Sequence, residues 1–194
     1  RLRLDQPTTV GGLSTPRVTA AHRFQLENDF HNVFEVYKDA QDRFERVFHR
    51  RPSDPVSGYR HEDAEVILVT SATITSGSRK AVDKFRKAGK RVGLVKFKML
   101  RPFPTEQFLN LVKSAKKIAV IDRNFALGAV HQVGGIFCQD IIATVSSLGV
   151  LVQSYILGIG GIDVTPRQID SVIDDILQRT QPTKSIWGGN DFGK

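Results

Sequence analysis

The residues best suited to chemistry lie in three short segments in the second half of the 194-residue chain. The most distinctive segment, residues 158–166, places three glycines ahead of an Asp, a Thr and a Pro. Glycine permits positive φ and close backbone approach, and a helix N-terminus offers free N–H groups to an anion. The segment therefore fits either a phosphate or carboxylate cradle or a plain tight turn. The candidate anion or ligand contacts are Arg101, Asp122, Arg123, Asn124, His131, Gly160, Gly161 and Asp163.

These residues do not form a complete catalytic set. The adjacent opposite charges of Asp122 and Arg123 favour a structural role, and Arg101 is as well placed for a salt bridge to Asp122 or Asp163 as for an anion. His131 has no second His or Cys at a metal-ligand spacing, and the lone Cys138 is typical of a buried core thiol. We therefore predict no catalytic residue and no metal site in this chain.

The charge of the chain is uneven. The net charge is +8, and residues 79–101 contain ten Lys or Arg but one acid, Asp83. A solvated helix and edge strand explain this cluster best. An acidic protein, a phosphorylated ligand and nucleic acid are the alternatives. We do not expect nucleic acid as a partner, because Phe85 and Phe97 are the only aromatic residues interleaved with the cluster. No apolar run reaches the roughly 18 residues that span a bilayer. We expect a cytoplasmic protein without a membrane partner, and the Arg1 start predicts a piece of a longer or processed chain.

Apolar periodicity predicts a helical arm before the main domain. Residues 1–16 are rich in Pro, Gly, Thr and Ser and are expected to be extended. A long amphipathic linker helix is predicted over residues 19–49, and residues 50–59 are expected to form a loop. Together these make an arm of residues 1–62. The helix is indicated by apolar residues at three- and four-residue steps, which are Phe30, Val33, Tyr37, Ala40, Phe44 and Val47.

The rest of the chain alternates strands and helices, which predicts a parallel sheet covered on both faces. We expect an α/β three-layer sandwich with a mainly parallel sheet over residues 63–180, followed by a loosely held tail of residues 181–194. Ligands of such sheets collect at the carboxyl ends of the strands. The predicted strands are 66–70, 92–99, 118–121 and 150–157; the helices are 81–88, 105–114, 136–146 and 166–178; the strand-end loops are 71–78, 100–104, 122–135 and 158–165.

Four segments occur together in an order that resembles one known family. They are residues 62–65 (EDAE), 101–104 (RPFP), 122–124 (DRN) and 158–166 (GIGGIDVTP). In order and spacing they resemble the C-terminal part of the alpha chain of 2-oxoacid:ferredoxin oxidoreductases, the pyruvate:ferredoxin oxidoreductase family. Residues 7–12 and the end of the predicted arm helix are similar to the connection between two domains of that family.

The resemblance implies a transketolase C-terminal-like fold and a non-catalytic assembly role. The complete enzyme would decarboxylate a 2-oxo acid, with pyruvate as the expected substrate, on thiamine diphosphate with Mg. It would then pass the acyl group to CoA and reduce ferredoxin through iron–sulfur clusters. This chain is expected to bind none of these cofactors, and its partners would be other domains or subunits of the oxidoreductase. Ile162 stands where relatives usually carry Arg, and residues 71–78 contain few glycines. The alternative function is a small module that binds an anion or a CoA phosphate through its strand-end loops.

Overall fold

The computed structural model describes residues 3–8 and 11–188 of the chain. Residues 1–52 and 53–194 form two compact units. The domain boundary expected between residues 62 and 63 stays a prediction. One strand of the main sheet, at residues 56–59, lies before that position. No helix in the described part of the chain is both long enough and apolar enough to cross a membrane.

The first unit contains two helices where the sequence predicts one. Helix α1 spans Pro16–Phe30 and helix α2 spans Val33–Phe48. The prediction of a single helix over residues 19–49 is therefore wrong. The backbone N–H groups of His31 and Asn32 bond three residues back, to Asn28 and Asp29, which tightens the turn and interrupts the helix. Both linking residues keep right-handed backbone angles, so the apolar periodicity continues across the break.

The second unit contains a six-stranded sheet. Its strands are β1 (Val56–Tyr59), β2 (Val66–Ser71), β3 (Val92–Phe97), β4 (Lys117–Asp122), β5 (Leu151–Ile156) and β6 (Ile186–Trp187). The strand order is β1-β3-β2-β4-β5-β6; β1 runs antiparallel to β3, and all other neighbours are parallel. The prediction of a loop over residues 50–59 is therefore wrong for residues 56–59, which form β1 at the edge of the sheet.

Four helices cover the two faces of this sheet, which confirms the predicted α/β three-layer sandwich with a mainly parallel sheet. They are α3 (Ile74–Lys87), α4 (Thr105–Leu111), α5 (Ile136–Val145) and α6 (Pro166–Gln178). Helices α4 and α5 pack on one face, and α3 and α6 pack on the other. Side chains alternate along β2, so that Ile67 and Val69 enter the first core while Val66 and Leu68 enter the second.

Helix α3 begins well before the predicted start at residue 81. Its first half is rich in small polar residues, which makes the sequence resemble a loop. In the structure these side chains are satisfied internally: Thr75 Oγ1 lies 3.1 Å from Thr70 Oγ1, and Ser78 Oγ donates to the Ile74 carbonyl. Gly77 lets α3 approach α6, because a Cβ there would lie 2.8 Å from Ile169 Cδ1. The predicted loop 71–78 thus shrinks to a two-residue turn.

The described part of the tail is attached to the domain rather than loosely held. Strand β6 pairs with β5, and Gly188 N–H donates to the Ile156 carbonyl at 2.9 Å. The fully buried amide of Gln153 accepts from Thr183 N–H at 2.8 Å and donates to the Lys184 carbonyl at 3.1 Å. The predicted free tail is therefore wrong for residues 181–188, and its remaining residues, 189–194, lie outside the described part of the chain.

Candidate functional site

The candidate site lies between β2 and β4, where successive strands begin to be added on the opposite side of the sheet. From β2 the chain adds β3 on one side, and from β4 it adds β5 on the other. A crevice between the carboxyl ends of two such strands is the usual ligand position in open α/β sheets. The loops after β2, β4 and β5 meet there, and they carry most of the predicted site residues.

Asp122, at the end of β4, is buried beneath the start of α5. One carboxylate oxygen accepts the backbone N–H of Phe137 at 3.2 Å, and the other accepts that of Cys138 at 3.0 Å. Asn124 completes the arrangement, since its side-chain oxygen accepts the Ile136 N–H at 3.0 Å. These three N–H groups belong to the first turn of α5, where an anion would otherwise bind. Two side chains of the chain therefore occupy the anion position of this helix.

Burial dominates the electrostatics of Asp122, whose residue surface is 2% exposed. Desolvation raises the pKa of this carboxyl from 3.8 to about 6, while the N–H groups of Cys138 and Phe137 and the Asn124 amide oppose the rise. Burial also raises the pKa of the neighbouring Cys138 thiol to about 12. A thiol with so high a pKa is a poor nucleophile, which agrees with the core role predicted for it.

Two consecutive glycines make room for this arrangement. A Cβ at Gly135 would lie 2.1 Å from Asp122 Oδ2, and a Cβ at Gly134 would lie 2.3 Å from the Phe125 ring. The backbone N–H of Gly134 donates to Ser185 Oγ, which in turn donates to Ser154 Oγ. Gly134 and Gly135 therefore serve close packing, a role that their spacing alone does not reveal.

Arg123 ties the loop after β5 to the turn after β2. Its Nε and Nη2 both donate to the Gly158 carbonyl at 3.2 Å, and its Nη1 lies 3.4 Å from Thr73 Oγ1. Gly158 has a φ of +69°, and a Cβ there would meet Val164 Cγ2 at 2.9 Å and Arg123 Nε at 3.0 Å. Glycine is required at this position on both grounds. Thr73 is a partner that the sequence gives no signal to identify.

The remainder of the glycine turn is open. Gly160 and Gly161 have φ values of +67° and +91°, and a Cβ at either would meet nothing within 4 Å. Asp163 is exposed, as is Ile162. The start of α6 is held instead by Thr165, whose side chain accepts from Gln168 N–H while Gln168 Oε1 accepts from Thr165 N–H at 2.8 Å. Thr165 is thus the N-cap of α6.

Arg101 and His131 lie on the same edge but make other contacts. Arg101 forms a two-pronged ion pair with Asp140 of α5, at 2.8 and 3.1 Å, rather than with either carboxylate considered from the sequence. His131 is exposed and has a φ of +53°, in a short turn whose next residue, Gln132, has a φ of +57°. The structure brings Asp122 and Asn124 together at the start of α5. It leaves Arg123 bonded to the Gly158 turn and Arg101 in a separate ion pair.

The basic segment of residues 79–101 is partly neutralised within the second unit. Lys84 pairs with Asp170 at 2.6 Å, and Arg86 pairs with Asp63 at 2.7 Å. The guanidinium carbon of Arg79 lies over the Tyr59 ring, 5.3 Å from its centroid. Arg91 contacts Glu65, which Lys116 also contacts. These pairs join elements that are distant in sequence, which supports the interpretation of a solvated helix face. The expectation of an edge strand is wrong, because β3 lies between β1 and β2 and is mostly buried.

Within the described residues, no group of three or more His, Cys, Asp or Glu side chains is arranged to hold a metal ion. The polar residues of the edge have roles that the fold itself requires: Asp122 and Asn124 cap α5, and Arg123 fixes the Gly158 turn. What the arrangement can do chemically is hold three loops in one rigid geometry. A ligand could approach the backbone closely at Gly160 and Gly161, and also at Gly128, because a Cβ at each would meet nothing within 4 Å.

The fold and this edge define an α/β domain whose strand-end loops are held by its own side chains. The sequence profile described as "Pyruvate:ferredoxin oxidoreductase core domain II" matches residues 64–169, more than half of the chain. The chain belongs to this family, as its ordered segments predict.

Individual relatives agree with this assignment. The chain is 34% identical to pyruvate synthase subunit PorA of Methanothermobacter thermautotrophicus, over 95% of this chain and 46% of that protein. It is 31% identical to ketoisovalerate oxidoreductase subunit VorA of Pyrococcus horikoshii, over 93% of this chain and 45% of that protein. The chain thus spans less than half the length of these relatives.

A solved structure shares the fold. A 2-oxoglutarate:ferredoxin oxidoreductase from Magnetococcus marinus, solved with 2-oxoglutarate, coenzyme A and succinyl-CoA bound, superposes with a TM-score of 0.51. The match covers 76% of this chain and 23% of that chain at 20% sequence identity. At this level of identity the likeness concerns the fold alone.

Proposed function

We propose that this chain is a non-catalytic assembly domain of the alpha subunit of a 2-oxoacid:ferredoxin oxidoreductase. Membership of the core domain II family supports the enzyme class. The capping of α5 by Asp122 and Asn124 is the observation that carries the non-catalytic role, because it commits the best-placed polar groups to the fold. A group that holds a helix start through two or three hydrogen bonds is not available to move a substrate proton without disturbing that helix.

The complete enzyme would convert a 2-oxo acid and CoA to acyl-CoA and carbon dioxide. The two electrons released would pass through iron–sulfur clusters to ferredoxin. Thiamine diphosphate with Mg would supply the carbanion chemistry, and other segments or subunits would bind it. The single cysteine of this chain supports placing the clusters elsewhere, since each cluster needs about four thiolates. Pyruvate is the first substrate to test, because the relative from Methanothermobacter is named a pyruvate synthase subunit.

The partners in this proposal are the other domains and subunits of the oxidoreductase, with ferredoxin reached through the whole complex. A cytoplasmic location follows from the same proposal, since ferredoxin and CoA are its co-substrates.

This function is tested by recovering the affinity-tagged chain from its native host. The recovered material is assayed for CoA-dependent reduction of a viologen dye by pyruvate, 2-oxoisovalerate and 2-oxoglutarate. We expect activity with one of these acids in the recovered complex and none in the purified chain alone. Recovery of the chain without any such activity, or activity from the chain alone, would contradict the proposal.

A second candidate function is binding of a small anion or a CoA phosphate at the carboxyl edge. The open approach to Gly160 and Gly161 favours it, with Arg123, which donates to the Gly158 carbonyl, as the adjacent cation. Calorimetry of the purified chain with CoA and with inorganic phosphate tests it. Heat that saturates with CoA and disappears in Arg123→Ala would support it, and no heat at millimolar ligand would remove it.

A further inference from the structure

The carboxyl edge of the sheet concentrates the exposed large apolar side chains of the second unit. Within residues 53–188 eight such side chains are exposed, and six of them lie on this edge. Leu127 and Val130 are the most exposed, at 90% and 76%. We call these six residues the apolar rim; they are Leu100, Leu127, Val130, Ile136, Ile162 and Trp187.

The topology explains why these residues share one edge. Leu100 follows β3, Leu127 and Val130 follow β4, and Ile162 follows β5. Because β3, β4 and β5 run in the same direction, the loops after them emerge at the same end of the sheet. Trp187 ends β6, which is parallel to β5. Isolated surface apolar residues are ordinary, but a concentration on one edge marks an interaction surface.

The loop that presents the two most exposed rim residues is held in a strained form. His131 and Gln132, directly after Val130, both have left-handed backbone angles without being glycine. Such angles persist only where the surroundings enforce them, and they concentrate at functional positions. Here the Gln132 carbonyl accepts Ser185 N–H at 3.1 Å, and Ser185 Oγ accepts Gly134 N–H. The loop is therefore fixed before any partner arrives, which lowers the entropy cost of binding.

The charged groups of this edge favour an apolar partner over a polyanion. Arg101 is paired with Asp140, and Arg123 is bonded to the Gly158 carbonyl. The Asp122 carboxylate is turned to the start of α5. An anionic partner would have to compete with these internal contacts, whereas an apolar one would cover the rim and leave them intact.

We propose that the apolar rim packs against the additional segment of the alpha subunit that the relatives contain. This rests on the proposed function. The relatives match nearly all of this chain with less than half of their own length, so in each of them additional sequence of more than half its length is linked to the matched region. A linked segment is present at a high effective concentration, and it needs an apolar surface on its neighbour for stable packing.

The experiment recovers the tagged full-length protein from the native host, cuts exposed linkers with a protease that cleaves after glutamate, and identifies by mass spectrometry the fragments that stay bound to the tagged domain. Leu127→Lys and Val130→Lys place a charge in the rim. Leu148→Lys is the matched control, because Leu148 is also an exposed apolar side chain, at 48%, but it follows α5 and lies away from this edge. Thermal melting of each purified chain checks that folding is unchanged.

We expect the tagged domain of each rim variant to retain at least tenfold less of the segment equivalent to the rest of the alpha subunit after the cut, while Leu148→Lys retains it like the wild type. Undiminished recovery by both rim variants, with oxidoreductase activity still present in the wild-type complex, would overturn this inference alone. Recovery of a homodimer that the rim variants dissociate would overturn the choice of partner. A wild-type chain recovered without oxidoreductase subunits would overturn the proposed function as well.

Discussion

The buried carboxyl of Asp122 shows how one residue links helix capping to the pH dependence of folding. It accepts the N–H groups of Phe137 and Cys138, and burial raises its pKa to about 6. Since an unfolded Asp titrates near 3.8, the folded protein binds this proton more tightly than the unfolded chain does. The stabilising effect of protonation is complete below pH 4 and disappears as the pH rises through 6.

We therefore predict that the unfolding free energy of the wild type falls relative to that of Asp122→Asn between pH 4 and pH 7. The pKa difference corresponds to about 3 kcal/mol as an order of magnitude. Urea denaturation at a series of pH values measures it, with Asp163→Asn as the exposed-carboxylate control. A constant difference between wild type and Asp122→Asn across this range would show that the carboxyl does not titrate as its burial requires.

At the scale of an element, the glycine turn before α6 separates into a packed part and an open part. Gly158 and Gly160 have nearly equal φ values of +69° and +67°, so alanine is strained similarly at both. Their surroundings differ, because only a Cβ at Gly158 would meet Val164 and Arg123 at 3.0 Å or less. The two positions form a matched pair in one turn.

We predict that Gly160→Ala costs about 1–2 kcal/mol of unfolding free energy through backbone strain. Gly158→Ala should cost about 1–3 kcal/mol more, because the added methyl group overpacks the turn. Chemical denaturation of the two variants at one pH gives the difference directly. Equal losses would mean that the loop shifts freely and that Arg123 does not fix it.

One buried side chain holds the part of the segment after α6 that the pairing of β6 with β5 does not reach. Gln153 exchanges hydrogen bonds with Thr183 and Lys184 where no strand pairing holds that part of the chain. Gln153→Leu would leave those backbone groups unpaired, at a cost of about 1–3 kcal/mol. We predict at least tenfold faster amide exchange across residues 183–188, measured by hydrogen–deuterium exchange. The exposed Gln139→Leu serves as control, and unchanged exchange in Gln153→Leu would refute the role.

The elements show which parts of the fold can be predicted from sequence. Apolar runs and alternation predict β2 to β5, α5 and α6 well, because burial on both faces leaves a continuous signal. Helix α3 is predicted too short, since its Ser and Gly residues favour loops locally and only packing against α6 explains them. Strands β1 and β6 lack such a signal, because each has four residues or fewer and borders the sheet.

The candidate site is predictable in position but not in its contacts. Strand-end placement identifies Asp122, Arg123 and Asn124 as a group. Their hydrogen bonds depend on residues 12 to 50 positions away, such as Ile136 and Thr73. Spacing in the sequence carries no information about those distances, so whether a carboxylate caps a helix or binds a ligand is decided only in the folded structure.

At the scale of the whole molecule, the fold joins a salt-bridged flank to an apolar carboxyl edge. On the flank, Lys84 of α3 pairs with Asp170 of α6, and Arg86 of α3 pairs with Asp63 before β2. These ion pairs connect α3 to its neighbours at the solvent-exposed surface. The apolar rim lies instead where related folds place ligands. Together with membership of the core domain II family, this distribution supports a domain that contributes surface and rigidity to a larger oxidoreductase.

The most direct test of the central claim is 2-oxoacid-dependent ferredoxin reduction in extracts of a host strain that lacks this chain. We predict that the activity with one 2-oxo acid is lost on deletion, returns when the chain is expressed again, and is absent from the purified chain. Undiminished reduction with pyruvate, 2-oxoisovalerate and 2-oxoglutarate in the deletion strain would contradict the assignment of this chain to the oxidoreductase.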